Sequence, residues 1–248
     1  MATKIQVYKG DAMPKNAKIY IALIITLGFA LLAGCLVFRA EFPDLPRYFS
    51  YLLLAVLAST MKVRLPGITG TMSVNFLFVL IGIADFTLAE TLTMGCLAIL
   101  TQCLWRTKST PGPVQVVFNV AALAVSIAAA YQVSHYAMAL ARAESLSAML
   151  ALAACVYFLS NTLLISGVLC LLEGKSLSKI WQQCYLWSFP YYLVGSAIAG
   201  LVTVSSRAIG WQGSLLALPL MYLVYTFYRL YLARVVPEPD RFAAKSPA

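Results

Sequence analysis

Long apolar stretches follow one another through this chain, and all its lysines and arginines but Arg229, near the end of the last stretch, fall in the tails or the gaps between them, dense in one gap and sparse in the next. The stretches run roughly 19–38, 48–61, 72–88, 89–104, 114–140, 147–172, 185–204 and 211–233. A helix needs about 20 mostly apolar residues to cross a ~30 Å hydrocarbon core at 1.5 Å per residue. The first stretch and the last four meet that length, and the three between are short. The chain is therefore expected to be an all-α integral membrane protein, a bundle of about eight transmembrane helices. With 61% hydrophobic and 11% charged residues, it has too little polar surface to cover a water-soluble globule of its length.

If all eight stretches cross, one side of the membrane receives Lys4, Lys9, Lys15, Lys18, Lys62, Arg64, Arg106, Lys108, Lys175, Lys179, Arg229, Arg234, Arg241 and Lys245. The other receives only Arg39, Arg47, Arg142 and Arg207. By the positive-inside rule this split places both termini in the cytoplasm. The expected organisation is a cytoplasmic tail over 1–18, a polytopic membrane domain over 19–233 and a Pro-containing cytoplasmic tail over 234–248. The net charge of +9 needs no nucleic-acid partner, because the excess lies where anionic lipid heads would meet it.

Two segments leave alternatives open. Segment 72–104 is a largely apolar run whose only charged residues are Asp85 and Glu90, and it fits either two short tilted helices turning near those acids or a re-entrant hairpin. Both acids are expected in a solvated turn. At the N-terminus, Leu32-Ala33-Gly34-Cys35 resembles a lipoprotein cleavage site, with Cys35 the residue that would carry lipid. The apolar run continues through Leu36, Val37 and Phe38, which favours an uncleaved anchor helix.

The chemistry-bearing residues are few. Cys35, Cys96, Cys103, Cys155, Cys170 and Cys184 form no CxxC or Cys/His pattern and read as packing residues rather than metal ligands. No lysine lies inside a span to form a Schiff base, and His135 alone supplies no bis-histidine haem site. No Ser/His pair, paired aspartates or HExxH motif is present at usable depth. The expectation is a non-enzymatic protein with no cofactor.

Uncharged amides are the informative intruders. Counted from the inner ends of their spans, Asn75 and Asn119 lie one to two turns deep, Gln102 and Gln115 nearer the surface, and Asn161 close to mid-membrane. An amide in hydrocarbon needs partners, so these five should point into the bundle, as interhelical glue or as the lining of a ligand pocket. The small-residue pairs Gly195/Ala199, Ser196/Gly200 and Ala30/Gly34 fit close helix packing. Trp181, Tyr185, Trp187, Tyr191 and Tyr192 read as an interfacial aromatic belt, and Leu177 to Cys184 as a short amphipathic helix on the inner surface.

Several stretches taken together carry a likeness. Arg64-Leu65-Pro66-Gly67, Gly70-Thr71-Met72-Ser73-Val74-Asn75-Phe76, Phe118-Asn119, Tyr157 to Thr162, Glu173-Gly174-Lys175-Ser176 and Tyr228 to Leu232 resemble the N-terminal multi-pass membrane module of bacterial HD-GYP and GGDEF signalling proteins. The likeness covers most of residues 60–233. It implies a sensor-like or localisation module in a bacterial inner membrane. After Leu232 the tail carries Pro237 and Pro239 where such proteins continue a helix into their output domain, and no output domain is expected within this chain. A looser likeness, to the small substrate-binding membrane subunits of vitamin uptake systems, implies a small-molecule uptake component. A structural subunit of a larger membrane complex is a third alternative, and partners then include the bilayer and a cytoplasmic or membrane protein.

Overall fold

The computed structural model describes residues 13–38, 42–64, 71–105, 111–174, 176–184 and 188–212, with positions 219, 222, 223, 226, 227 and 230 beyond them. Among the described residues, the regular structure is eight helices and one pair of antiparallel strands: α1 (Lys15–Phe38), α2 (Leu45–Thr60), β1 (Lys62–Arg64), β2 (Thr71–Ser73), α3 (Phe76–Asp85), α4 (Leu88–Leu104), α5 (Pro113–Ala141), α6 (Leu146–Glu173), α7 (Leu177–Cys184) and α8 (Phe189–Ile209). The last expected span, 211–233, and both expected tails fall largely outside the described residues.

Among the described residues four helices, α1, α5, α6 and α8, are long and apolar enough to cross a membrane. At 1.5 Å per residue they measure about 36, 43, 42 and 31 Å, against a ~30 Å hydrocarbon core. Helices α2, α3 and α4 reach only about 24, 15 and 25 Å. Segment 72–104 divides at Phe86–Thr87, as its two acids foreshadow, but its first half is not one helix. It enters as strand β2, paired antiparallel with β1 in the register Lys62↔Ser73, and becomes helical only at Phe76.

Local chemistry sets these boundaries. Asp44 caps α2 by accepting from the Arg47 N–H at 3.1 Å. Thr87 and Glu90 form a reciprocal capping box that starts α4. Pro113 and Pro190 fall in the first turns of α5 and α8, where a missing N–H costs nothing. Helix α6 stops at Gly174, whose φ of 66° lies in the left-handed region that glycine enters freely.

Helix α5 runs through the middle of the bundle, packed by α1, α4 and α6. Its seam with α1 depends on Gly28, where an added Cβ would lie 2.6 Å from the Ala121 Cα. The expected pair Ala30/Gly34 marks no such seam: a Cβ at Gly34 meets nothing within 4 Å. Every residue from Phe76 to Ile83 is buried, as an all-apolar helix must be if protein surrounds it. The aromatic belt also needs correction. Tyr191 and Tyr192 are buried against Phe76, with ring centroids 4.8 and 4.9 Å away, and the Trp181 indole N–H donates to Thr162 Oγ1 at 3.0 Å. Tyr185 and Trp187 lie outside the described residues. Helix α7 matches the expected amphipathic segment residue for residue.

Candidate functional site

Packing brings most of the expected amides to one place. The start of α3 abuts α8, the end of α4 lies beside the start of α5, and α6 runs past both. Between them lies a cavity of about 30 Å³, lined by Ser73, Asn75 and Phe76 from the β2–α3 junction and by Ile99 and Gln102 of α4. Asn119 and Leu123 of α5, Tyr157, Asn161 and Ile165 of α6, and Tyr192 of α8 complete it. Gln115, buried on the first turn of α5, is not among the lining residues. Ser73, Tyr157 and Tyr192 also line it, residues that the sequence analysis assigned to no pocket.

Hydrogen bonding satisfies only part of this lining. Ser73 Oγ donates to Gln102 Oε1 at 2.7 Å, which ties β2 to α4. Asn119 Nδ2 donates weakly to Cys103 Sγ at 3.6 Å. The backbone carbonyl of Asn75 accepts from Phe78 and Val79 at 2.9 and 3.3 Å, so Asn75 opens α3, yet its side chain makes no capping bond. Asn75 Nδ2 and Asn119 Oδ1 are both buried without a protein partner. Each such orphan costs about 1–3 kcal/mol relative to a satisfied group. The cavity beside them is large enough for about two waters, since one needs roughly 10–15 Å³.

The electrostatics of the cavity come from dipoles. No lining residue is formally charged. The N-terminus of α3 opens on it and brings a partial positive charge of about half a unit. Lys62 is the register partner of the lining residue Ser73 but does not itself line the cavity, and its Nζ donates to the Trp105 carbonyl. Burial lowers the Lys62 pKa from its usual value, and the nearby Cys103 thiol acts in the opposite sense.

The far end of the bundle holds the charges. Asp85 and Glu90, expected in a solvated turn, are both withdrawn from solvent. The Asp85 side chain is 4% exposed and takes Arg47 Nη2 at 3.0 Å on one oxygen and Arg207 Nη2 at 2.9 Å on the other. Arg207 adds an Nε bond to the same carboxylate at 3.1 Å, and the Arg47 guanidinium lies 5.0 Å from the centre of the Phe86 ring. The turn is buried because α2 and α8 bring their arginines to it. Glu90, 1% exposed, turns back to its own cap and accepts from the Thr87 N–H at 2.8 Å. His135 Nε2 donates to the Ile83 carbonyl at 2.9 Å and its ring stacks on Tyr131 at 4.3 Å, a hydrogen-bonding role at the helix end.

Comparison with protein-family models, with curated proteins and with solved structures finds no match to this chain.

Proposed function

We propose that the chain is a polytopic inner-membrane protein, non-enzymatic and sensor-like, whose ligand site is the amide-lined cavity at the start of α3. One observation carries this reading: Asn75, which opens α3, and Asn119 of α5 both line the cavity, and each carries a buried polar atom, Asn75 Nδ2 and Asn119 Oδ1, without a protein partner. Interhelical glue would pair the two amides with each other or with neighbouring backbone. Orphans on residues that line a shared cavity are instead groups awaiting a partner, and binding returns the free energy their burial costs.

In this reading the bundle crosses eight times with both ends in the cytoplasm. Helices α1, α5, α6 and α8 supply four passes, α2 and α4 two shorter ones, β2 with α3 a discontinuous one, and 211–233 the last. Lys15, Lys18 and Lys62 then lie at the cavity end, and Arg47, Arg142 and Arg207 at the other, which makes the cavity end cytoplasmic. Anionic lipid heads on that face would meet the basic residues. The likeness of residues 60–233 to bacterial signalling modules supports a sensor, with a cytoplasmic or membrane protein as the receiver of its state.

A second reading, an uptake component, draws on α3 itself. A half-length helix that starts inside the bundle and opens its N-terminus on a cavity is the arrangement by which discontinuous helices hold substrates in transporters.

Native mass spectrometry of the purified chain tests the site. The wild-type protein should retain a small molecule that Asn119→Leu releases while staying folded. Retention by both proteins would place the ligand elsewhere. Uptake of that molecule into proteoliposomes containing the chain alone would select transport over sensing.

A further inference from the structure

We infer that the cavity at the start of α3 takes a small monovalent oxyanion, a carboxylate such as formate or its planar inorganic counterpart nitrate. The inference rests on the cavity being a ligand site and goes on to the chemistry of its occupant.

Size sets the first limit. A cavity of about 30 Å³ holds about two waters, so it admits only a solute of about three or four heavy atoms, the size of formate or nitrate. Sign is set by three independent donors. Helix α3 is 10 residues long, and its N-terminal dipole favours negative charge where it opens on the cavity. Asn75, 6% exposed, presents an Nδ2 donor that no protein atom accepts. Lys62, the register partner of the lining residue Ser73, adds a positive charge on the neighbouring strand, outside the lining itself.

Asn119 decides whether an acceptor would be repelled. Asn119 lines the cavity with its Nδ2 on Cys103 Sγ and its Oδ1 buried without a partner. The two amide atoms are close to isosteric, and turning the group over exchanges them. The Cys103 thiol then donates to Oδ1, and Nδ2 joins Asn75 Nδ2 as a second donor to the ligand. The amide therefore adapts to an anion at little cost.

The same lining argues against the other charge classes. A cation would find no carboxylate, because none lines the cavity and Asp85 and Glu90 lie at the opposite ends of α3 and α4. A divalent anion would lose its water with no guanidinium or ammonium inside the cavity to neutralise the second charge.

Thermal unfolding of the full chain in lipid nanodiscs tests this with sodium formate, sodium nitrate, neutral formamide and sodium sulfate. Ionic strength is held by sodium gluconate, whose anion is too bulky for the cavity. Formate and nitrate should give a saturable rise in Tm, about 3–6 °C at ten times the half-saturating concentration. Formamide and sulfate should give none. Asn75→Leu and Asn119→Asp should abolish the rise, the first by removing a donor and the second by facing the anion with a carboxylate. Should either variant fail to fold, Lys62→Gln on the neighbouring strand provides the check, with several-fold weaker formate binding expected.

A rise with formamide and none with formate would overturn the anion while leaving a ligand cavity in place. The inference would also fail, with the ligand-site reading intact, if no small solute acted and the isolated protein carried a larger molecule that Asn119→Leu releases. No solute effect together with no retained molecule would overturn both.

Discussion

Phe76 occupies the space that a side chain at position 195 would need: a Cβ built on Gly195 would lie 2.1 Å from Phe76 Cε2 and 2.3 Å from its Cζ. The contact fixes the start of α3 against α8, so it also fixes one wall of the cavity. The ring has little room to move, since Tyr191 and Tyr192 flank it at 4.8 and 4.9 Å. Gly195→Ala should therefore destabilise the fold by about 1–3 kcal/mol, the usual cost of overpacking a filled site. Adding Phe76→Leu should recover part of that loss. A double-mutant cycle on thermal unfolding measures the coupling, and simple additivity would show that the two residues do not constrain each other.

The Asp85 cluster predicts an order of effects. Asp85→Ala leaves Arg47 beside the Phe86 ring with no counter-charge, and should cost about 3 kcal/mol or more. Arg47, 24% exposed in its side chain, should cost less when replaced by alanine. Arg207, 56% exposed, should cost least, about 1 kcal/mol or below, because solvent screens its pair. Unfolding of the three variants under one set of conditions checks the order. An Arg207→Ala variant as damaged as Asp85→Ala would show that the α8 arm of the cluster bears the stability.

These two sites mark where the sequence was legible and where it was not. Asn75, Gln102, Asn119 and Asn161 stand out because a polar group within an apolar run has to find company, although counting turns from the helix ends spread them from near the surface to mid-membrane and did not bring them to one cavity. Gln115 shares their character but lies one turn nearer the start of α5, and that offset keeps it from the cavity. Tyr192 was invisible as a lining residue, since a tyrosine near the end of an apolar stretch reads the same whether it faces lipid heads or a core, and Tyr157 lies mid-stretch in a helix apolar on all sides, where periodicity does not mark the inward face. The burial of Asp85 depends on Arg207, 122 residues away, and no local pattern encodes such a partner. The β1–β2 pair escaped for a different reason: strands of three residues are too short to show an alternating pattern, and only Pro66, Gly67 and Gly70 between them hint at a turn.

Asn119 gives a prediction about stability without ligand. Its Oδ1 has no partner and its Nδ2 makes only a 3.6 Å contact with sulfur, so the amide contributes little to the empty fold. Leucine has nearly the same shape and carries no polar atom to desolvate. Asn119→Leu should leave unfolding of the ligand-free protein within about 1 kcal/mol of the wild type, or raise its stability, because removing a buried orphan removes its penalty. A larger loss would mean that the amide is interhelical glue after all.

The orientation of the bundle rests on charge, and its prediction is spatial. Arg142 ends α5 in a left-handed conformation with φ of 49°, and Glu144 follows it, exposed, in the short link to α6. Asp85, Arg47 and Arg207 gather at the same end of the bundle, because Tyr131 and His135, late in α5, bond the carbonyls of Phe86 and Ile83. Lys62 and the start of α5 lie at the opposite end. If the basic-rich side is cytoplasmic, a cysteine placed at Ala143 should react with a membrane-impermeant maleimide in intact cells. One placed at Thr107, beside Lys108, should react only after the cells are opened. The experiment is run in a background where Cys35, Cys96, Cys103, Cys155, Cys170 and Cys184 are replaced by alanine. The reverse pattern would invert the bundle and put the cavity on the outer face. Labelling of both sites in intact cells would mean that α5 does not cross, which its 29 apolar-rich residues, about 43 Å of helix, make the most demanding result to explain.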